Sequence, residues 1–374
     1  MRVGLAMVES GSKIRVGIVF GGRSAEHAIS IRSAQSVFDA IDRSRFEPIL
    51  IGIDPDGRWH LVPEESFRCL SSRTTAEQAE EVVPTSLRAV TLPSTPPAHP
   101  TVDIVFPILH GAYGEDGTIQ GLLEMVDLPY VGAGVLGSAV GMDKDVQKRL
   151  LHEAGIPIVP YCVVRQDEWH HDPREVRQRA QALGSPLFVK PANLGSSVGV
   201  RKVSSFNDLP AAIDYAFSFD VKILIERGLT AREIECSVLG NDDPQASLPG
   251  EIVAGTDFYS YEAKYASDSD ARLLIPAPLS PDLISAVQKL AVRTFQVLEC
   301  SGMARVDFFL ERGTDRLYVN ELNSIPGFTS ISMYPKLWEA SGLGYTQLIS
   351  RLIDLALERH ASRQRLRDQR RYQG

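Results

Sequence analysis

The stretch GMARVDFFLERGTDRLYVNELNSIPGFT, residues 302–329, carries the strongest evidence for the fold. Residues 303–310 and 316–322 are rich in Val, Phe, Leu and Tyr, the residues that β-strands favour. The Gly-Thr-Asp segment between them, residues 313–315, has the composition of a turn. The stretch therefore predicts a hairpin of two antiparallel strands.

The polar side chains of this hairpin are expected to gather on one face. Side chains alternate between the faces of a strand, so Arg305 and Asp307 share a face. A loop centred on Thr314 places Asp307 opposite Glu321, and it places Arg305 opposite Asn323. Two carboxylates this close repel each other unless a cation lies between them, and Mg²⁺ prefers such oxygens together with nucleotide phosphates. The pattern predicts a magnesium site, and a solvated hairpin face is the alternative that it leaves open.

Length and composition indicate a globular enzyme. The 374 residues suffice for two or three domains, and 44% hydrophobic with 23% charged residues is typical of soluble proteins. A net charge of −8 argues against a nucleic-acid partner held through phosphate contacts. No apolar run approaches the roughly 20 residues of a membrane span, so no membrane partner is expected.

Cysteine usage and the N-terminus point to the cytoplasm. The four cysteines are widely spaced and form no C-x-x-C pair, as reduced thiols do: Cys69, Cys162, Cys236 and Cys300. Residues 1–13 lack the apolar segment of a secretory signal and are interpreted as an extension. A cytoplasmic location is therefore expected.

The first part of the chain predicts an open α/β domain. Residues 14–20 form an apolar run that suits a buried parallel strand, and 46–53 form the next strand. A helix capped by Ser24 follows the first strand, and Glu26 lies in its first turn, where it can complement the helix N-terminus or face a ligand. Residues 62–101, rich in Pro, Ser and Thr, are predicted to be a surface excursion.

A glycine-rich loop at 110–117 follows another apolar strand at 102–109. Ligands bind beyond the carboxyl ends of strands in open α/β sheets, so this loop is well placed for one. His110 within it has two open interpretations, a functional group or a loop histidine satisfied by backbone. A helix over 119–126 and a strand over 128–131 are predicted next.

The middle of the chain predicts a strand, a small-residue loop and further strands. Residues 186–191 end in Lys-Pro, and 192–200 are rich in Gly and Ser, whose backbone N–H groups can approach phosphates. An ordinary hairpin is the alternative. Residues 222–226 form a strand that is predicted to pair with a strand at 234–239. The polar segment 256–272 is predicted to be a lid loop.

Several motifs then stand in one order along the chain. They are Glu26, HGAYGEDG (110–117), Met142-Asp143-Lys144, VKPANLGSSVGV (189–200), EAKY (262–265), ARVD (304–307) and NELNSIPGFT (320–329). Together they resemble the D-alanine–D-alanine ligases of the ATP-grasp superfamily, over roughly residues 14–360. The resemblance implies an N-terminal open α/β (pre-ATP-grasp) domain followed by a two-lobed ATP-grasp fold. The implied segments are an extension (1–13), the N-terminal domain (14–135), a central lobe (136–240), a C-terminal lobe (241–360) and a basic tail (361–374).

The family reaction implied is phosphorylation of one D-alanine by ATP and attack of a second D-alanine on the acyl phosphate. By the resemblance, the residues that contact ATP are Lys144, Lys190, Ser196, Ser197, Val198, Glu226, Leu229, Glu233, Lys264, Asn320 and Glu321. Two Mg²⁺ or Mn²⁺ ions would be held by Asp307, Glu321 and Asn323. The catalytic groups implied are Glu26, Ser196, Tyr265, Arg305 and Gly327. The substrates would meet Glu26, His110, Arg305, Ser332 and Met333.

Alternatives remain at the acceptor and in the class of protein. Relatives that make D-alanyl-D-lactate typically lack a tyrosine at the position of Tyr265, so an amine acceptor is favoured over D-lactate. D-serine differs by one hydroxyl, and a pocket discriminates such a change by only about 1–3 kcal/mol. Relatives often carry a larger side chain where this chain has Arg227-Gly228 beside the adenine. Another ATP-grasp ligase and a non-catalytic nucleotide-binding module are further alternatives, and family members are commonly homodimers.

Overall fold

The computed structural model describes residues 12–71, 102–253 and 272–371. The strands in these ranges are β1 (Ile14–Gly21), β2 (Phe46–Ile53), β3 (Trp59–Leu61), β4 (Ile104–Ile108), β5 (Tyr161–Arg165), β6 (Leu187–Pro191), β7 (Arg201–Val203), β8 (Lys222–Arg227), β9 (Ala231–Gly240), β10 (Gln245–Ala246), β11 (Gly250–Val253), β12 (Arg272–Leu274), β13 (Gly302–Glu311) and β14 (Leu317–Asn323). The helices are α1 (His27–Ala40), α2 (Glu64–Ser71), α3 (Thr118–Met125), α4 (Val135–Met142), α5 (Lys144–Glu153), α6 (Gln166–His171), α7 (Pro173–Ala182), α8 (Leu209–Phe217), α9 (Pro281–Val297), α10 (Met333–Ala340) and α11 (Tyr345–Arg371). None of these helices has the length and apolar character that a membrane crossing requires.

The first sheet has the order β3-β2-β1-β4, and β1 pairs in parallel with both β2 and β4. β1 is the apolar run that the sequence predicts as a buried strand, and its last six residues are buried. The predicted open α/β arrangement is confirmed. The strand predicted over 128–131 is wrong, because only Tyr130 bridges β4, at Val105, before the chain turns away.

The surface excursion predicted for 62–101 begins too early. Residues 64–71 form helix α2, and Phe67 is fully buried while Leu70 is 5% exposed. Val62, Phe67 and Leu70 pack into the core of the first sheet. The many polar residues further along the segment hide this short apolar face in the sequence. Residues 72–101 lie outside the described ranges.

The second sheet is antiparallel, with the order β5-β8-β6-β7. The predicted pairing of β8 with β9 is wrong. β8 has β5 and β6 on its two sides, so no edge is left for β9. Instead β9 pairs with β10, β11 and β13 in a different sheet. Sequence patterns identify both strands but do not show with which strands they pair.

The third sheet has the order β12-β11-β9-β13-β14, and β10 pairs with β9. The predicted hairpin is β13 and β14, and its register is confirmed at the polar residues. Asp307 lies opposite Glu321, and Arg305 lies opposite Asn323. The hairpin therefore presents its polar groups together, as the sequence predicts.

One buried core joins the first sheet to the C-terminal part of the chain. It contains β1, β4, α1 and α2 together with residues that follow β14 and the start of α11. The rings of Phe106 and Phe328 meet edge-on, with centroids 5.8 Å apart. The described part of the predicted basic tail is the end of α11, where Arg367 forms an ion pair with Asp127 at 2.6 Å. The domain boundaries stay predictions.

Candidate active site

A cleft between the second and third sheets holds most of the predicted ATP-binding residues. Loop 192–200 borders the same cleft. The lining includes nine of the eleven predicted residues: Lys144, Lys190, Ser196, Ser197, Glu226, Leu229, Glu233, Asn320 and Glu321. Val198 is not among the residues that line it. Lys264 and Tyr265, with the predicted lid up to residue 271, lie outside the described ranges.

Two lysines meet one glutamate at the floor of the cleft. Lys190 Nζ lies 2.6 Å from one carboxylate oxygen of Glu226, and Lys148 Nζ lies 3.0 Å from the other. Burial alone would raise the pKa of Glu226, but the two lysines outweigh it and hold that pKa below its usual value. Burial lowers the pKa of Lys148, and the attraction of Glu226 offsets this only in part. The floor thus carries two cations against one anion, an excess that suits a phosphate.

Lys144 reaches the same cleft from the first turn of α5. Asp143 caps this helix, and Lys222 Nζ holds the Asp143 carboxylate at 2.5 Å. Lys144 Nζ donates a hydrogen bond to the carbonyl of Leu194 at 2.7 Å and lies 3.3 Å from the Glu321 carboxylate. The lysine therefore connects loop 192–200 to the hairpin of the third sheet.

Arg305 and Asp307 form a tight pair on β13. The guanidinium donates to both carboxylate oxygens of Asp307 at 2.7 Å, and its Nε lies 2.9 Å from Glu235. Burial alone would lower the pKa of Arg305, but Asp307 and Glu235 outweigh it and the pKa is raised. Asn323 adds a hydrogen bond from its amide to Asp307 at 3.0 Å. Arg305 is therefore a fixed positive charge at the edge of the cleft.

An irregularity in the hairpin brings two consecutive side chains into the cleft. Phe308 pairs with Val319, whereas Asp307 pairs with Glu321, so Asn320 is an extra residue on β14. Such a bulge re-aims side chains next to functional sites. Asn320 and Glu321 both line the cleft for this reason. Strict alternation along a strand would have placed them on opposite faces.

The donors of the hairpin fit a hard cation. Asp307, Glu321 and Asn323 offer two carboxylates and an amide oxygen, the kind of ligand that Mg²⁺ prefers. The described part of the chain has no cluster of three or more His, Cys, Asp or Glu residues able to hold a metal. Nucleotide phosphates would therefore be needed to complete the coordination, as is usual for Mg²⁺.

Loop 192–200 contacts the N-terminal domain through a serine. Ser196 and Ser197 have φ angles of 51° and 61°, a left-handed conformation that is uncommon for residues with a side chain. The hydroxyl of Ser196 donates a hydrogen bond to the Glu26 carboxylate. Glu26 makes no side-chain hydrogen bond that would cap α1. Its carboxylate lies instead at the junction of loop 192–200 and the N-terminal domain.

A second carboxylate lies close to Glu26. Burial and the charge of Glu26 raise the pKa of Glu115 to about 8. Neither acid forms an ion pair with any of the residues that the structure describes. His110 is 5% exposed, and burial lowers its pKa although Glu26 opposes this. Among the described residues, the charge of Lys144 acts on Glu115 but offsets the rise of its pKa only in part.

The remaining predicted substrate residues lie after β14. The Ser332 hydroxyl accepts a hydrogen bond from the Thr329 N–H at 3.1 Å, and Met333 is 6% exposed. A side chain at Gly327 would come within 3.1 Å of the Ser332 hydroxyl. Gly327 and Ser332 therefore lie against each other, and their roles toward substrate stay predictions.

The sequence interpretation missed four charged groups of this region: Lys148, Glu235, Lys222 and Glu115. Lys148 follows Lys144 by four residues, the spacing that places side chains on one helix face. That spacing could have identified it. Glu115 lies inside the glycine-rich loop already singled out. Glu235 and Lys222 carry no such signal, because their roles depend on pairing across strands and between lobes.

Two antiparallel sheets that enclose one cleft, with lysines on one side and carboxylates on the other, define an ATP-grasp fold. Family models for the D-ala D-ala ligase N-terminus and C-terminus match residues 15–133 and 150–354. The chain belongs to the D-alanine–D-alanine ligase family. This confirms the resemblance drawn from the motifs.

Similar proteins agree with the family. D-alanine–D-alanine ligase A of Escherichia coli K12 is 50% identical over 364 residues, which cover 94% of this chain and 97% of the relative. The solved D-alanine–D-alanine ligase of Coxiella burnetii is 38% identical, with a TM-score of 0.84 over 96% of this chain and 99% of that chain. A solved D-Ala:D-Ser ligase of Enterococcus faecalis is 32% identical, with a TM-score of 0.80 over 92% of this chain and 100% of that chain.

Proposed function

We propose that this protein joins two D-alanine molecules into D-alanyl-D-alanine, using ATP to activate the first carboxylate, for the synthesis of peptidoglycan precursors. The observation that carries the proposal is the opposition of Asp307 to Glu321 in a cleft that Lys144 and Lys190 also line. Phosphoryl transfer needs alignment and charge neutralisation rather than a covalent residue, and this arrangement offers both.

The lysines are proposed to bind the phosphates of ATP. Lys144 and Lys190 supply point charges, and the backbone of Ser196 and Ser197 can approach phosphate oxygens. Glu226 holds Lys190 in place at 2.6 Å. Leu229 and Glu233, which line the same cleft, are proposed at the adenine and the ribose. Val198 and Lys264 are proposed to cover the phosphates.

Two Mg²⁺ or Mn²⁺ ions are proposed at Asp307, Glu321 and Asn323. A bound divalent cation would neutralise the charge that develops on the transferred phosphoryl group. The chain's own part is to hold the donors: Arg305 fixes Asp307 through two hydrogen bonds of 2.7 Å. Asn320, brought into the cleft by the bulge, orients Lys190 at 3.4 Å.

Glu26 is proposed to bind the ammonium of the first D-alanine. An acid without an ion pair in the described part of the chain, beside a second acid, attracts a cation. Ser196 orients the Glu26 carboxylate through its hydrogen bond. Arg305 and the backbone N–H of Gly327 are proposed to stabilise the oxyanion that forms when the second amine attacks. Ser332 and Met333 are proposed to contact the second carboxylate.

D-alanine is the proposed acceptor, and Tyr265 is the residue on which this choice rests. Tyr265→Phe is expected to increase the use of D-lactate relative to D-alanine at neutral pH, measured by product mass from mixtures of the two. An unchanged product ratio would remove the reason for preferring an amine acceptor. The D-Ala:D-Ser ligase fold is nearly as similar as that of the D-alanine ligases, so D-serine must be compared directly.

The decisive experiment measures phosphate release from ATP and Mg²⁺ with D-alanine, L-alanine, D-serine or D-lactate, and identifies the product by mass. Release that depends on D-alanine and yields the D,D-dipeptide supports the proposal. Turnover only with another acid would keep the ATP-grasp chemistry and replace the substrate. Tight ATP binding without turnover would indicate a non-catalytic nucleotide-binding module.

A cytoplasmic homodimer is proposed as the working form. All four cysteines, which fall in the described ranges, are free thiols, as in a reducing compartment. Exposed apolar side chains lie at the end of α3 and the start of α4, where a second copy could cover them: Met125, Val126, Val135 and Leu136. Light scattering should give twice the monomer mass of 41.1 kDa. A monomer mass at micromolar concentration would contradict the dimer.

A further inference from the structure

The backbone carbonyl of Ile325 is held by one loop of the N-terminal domain. This carbonyl accepts a hydrogen bond from His110 Nδ1 at 3.2 Å. A side chain of the glycine-rich loop thus reaches the backbone of the segment that follows β14.

The loop that supplies this side chain is itself fixed. The Gly111 N–H donates to Glu115 Oε2 at 2.7 Å, so Glu115 also closes its own loop. A side chain at Gly114 would come within 2.3 Å of the Leu109 carbonyl, so the tight turn there requires glycine. The Ser33 hydroxyl lies 3.1 Å from His110 Nε2. Because Nδ1 must donate to a carbonyl, Nε2 accepts from Ser33, and this fixes the neutral tautomer.

The chain between Ile325 and the proposed oxyanion group is short and stiff. Pro326 follows Ile325 and restricts the backbone, and Gly327 comes next. Phe328 is fully buried against Phe106 of β4. Gly327 therefore lies between two anchored residues, and a displacement of Ile325 must displace its N–H.

We propose that His110 is a positioning residue that holds Ile325 and thereby sets the Gly327 N–H for the reaction, from a loop that Glu115 closes through the Gly111 N–H. The inference rests on the proposed function, because Gly327 matters only if an oxyanion forms there. It gives His110 a role that needs no contact with substrate, since both of its ring nitrogens are engaged by protein atoms.

The test compares His110→Phe with His110→Asn and with the control Asp116→Asn. His110→Phe keeps a ring of similar shape without the donor, whereas His110→Asn retains an N–H near the Nδ1 position. Asp116 belongs to the same loop and accepts hydrogen bonds from the N–H groups of Tyr113 and Thr118. His110→Phe should lose about 10- to 100-fold in kcat with an unchanged KM for ATP, as expected of a misplaced reacting geometry. His110→Asn should recover part of this loss, and the control should lose none.

Amide hydrogen exchange provides a readout that does not depend on activity. His110→Phe should speed exchange at Gly327 at least about tenfold, because local opening no longer breaks the hydrogen bond from His110 to the Ile325 carbonyl. Asp116→Asn should leave exchange there unchanged. Wild-type kcat and wild-type exchange in His110→Phe would overturn the positioning role. If the wild-type protein releases no phosphate with D-alanine, the proposed function fails, and the exchange experiment still decides whether His110 holds Ile325.

Discussion

The floor of the cleft and the junction with the N-terminal domain differ in how their carboxylates are paired with cations. At the floor of the cleft, Glu226 is surrounded by Lys148 and Lys190, and every charge has an opposite partner within 3.0 Å. At the junction with the N-terminal domain, Glu26 and Glu115 lie near each other, and no described cation forms an ion pair with either. In the first region the carboxylate is paired twice within the folded chain. In the second, the proposed partner of Glu26 is the ammonium of a substrate.

This difference indicates which ligand each end is built for. A floor with one surplus positive charge attracts an anion, and ATP phosphates supply it. Glu115, whose pKa is raised to about 8, is mostly protonated at neutral pH, so the Glu26 carboxylate is the group proposed to bind the ammonium of D-alanine. The contrast therefore supports the proposed order of the site: nucleotide at the floor, first amino acid at the N-terminal junction, and the Asp307–Glu321 pair between them.

The largest effect on turnover is expected from substitutions of Asp307 and Glu321, the pair proposed to lie between the nucleotide and the first D-alanine. Asp307→Asn and Glu321→Gln should each lower kcat by about 10²- to 10³-fold, because each removes a carboxylate from the proposed cation site. Folding should be affected less than turnover. Phosphate release at saturating substrate gives the first quantity and thermal unfolding gives the second. Wild-type rates in either variant would exclude that residue as a metal ligand.

Breaking the ion pair at the floor of the cleft should lower the free energy of unfolding. Lys148→Met should lower the free energy of unfolding by about 3 kcal/mol, the lower end of the range for breaking a buried ion pair. The double variant with Glu226→Gln should recover part of this loss, because it no longer leaves a buried carboxylate short of one partner. Urea denaturation of the two variants and the wild type measures both values. Equal losses in the single and double variants would show that the pairing is not the cause.

The sequence predicts most helices, strands and cleft-lining residues correctly. It predicts less well which strands pair and which side chains contact each other. The register of Asp307 against Glu321 is predicted correctly, although the reasoning did not include the bulge at Asn320. The hairpin loop alone would give a register one residue different, and the extra residue on β14 restores the predicted opposition at the polar positions. The extra residue lies on β14, and the pairing of β13 with β9 runs through the same positions without a shift.

Charged side chains whose partners lie on another helix or strand were not predicted, because the sequence does not show which elements are neighbours. Lys148 reads as a polar position of an exposed helix, yet it is fully buried because Glu226 of β8 compensates its charge. The pairing of β8 with β5 and β6 decides this, and the sequence pattern assigned β9 as the partner of β8. Burial of a charge is a property of the pair, so it becomes visible only when both partners are placed.

The raised pKa of Glu115, at the junction with the N-terminal domain, should make the stability of the protein depend on pH. The pKa of Glu115, about 8 in the folded chain, lies above its usual value of 4.5. Between these values the folded chain keeps a proton that the unfolded chain has released, so stability falls as pH rises from about 4.5 to 8. Relative to the wild type, Glu115→Gln should gain at least about 1.4 kcal/mol of stability between pH 5 and 8, the equivalent of one pKa unit. Parallel pH profiles for the two proteins would contradict the raised pKa.

The smallest effect on stability is expected from a surface ion pair, which serves as the reference for the buried pair at the floor of the cleft. Arg367 and Asp127 lie 2.6 Å apart, but each side chain is about half exposed: 49% and 48%. Water and salt screen such a pair, so Arg367→Ala should change the free energy of unfolding by less than about 1 kcal/mol. Added salt should shrink the difference further, whereas the loss in Lys148→Met should persist in salt because that pair is buried. If the two variants lost equal stability and responded equally to salt, burial would not be what distinguishes the floor of the cleft from the surface.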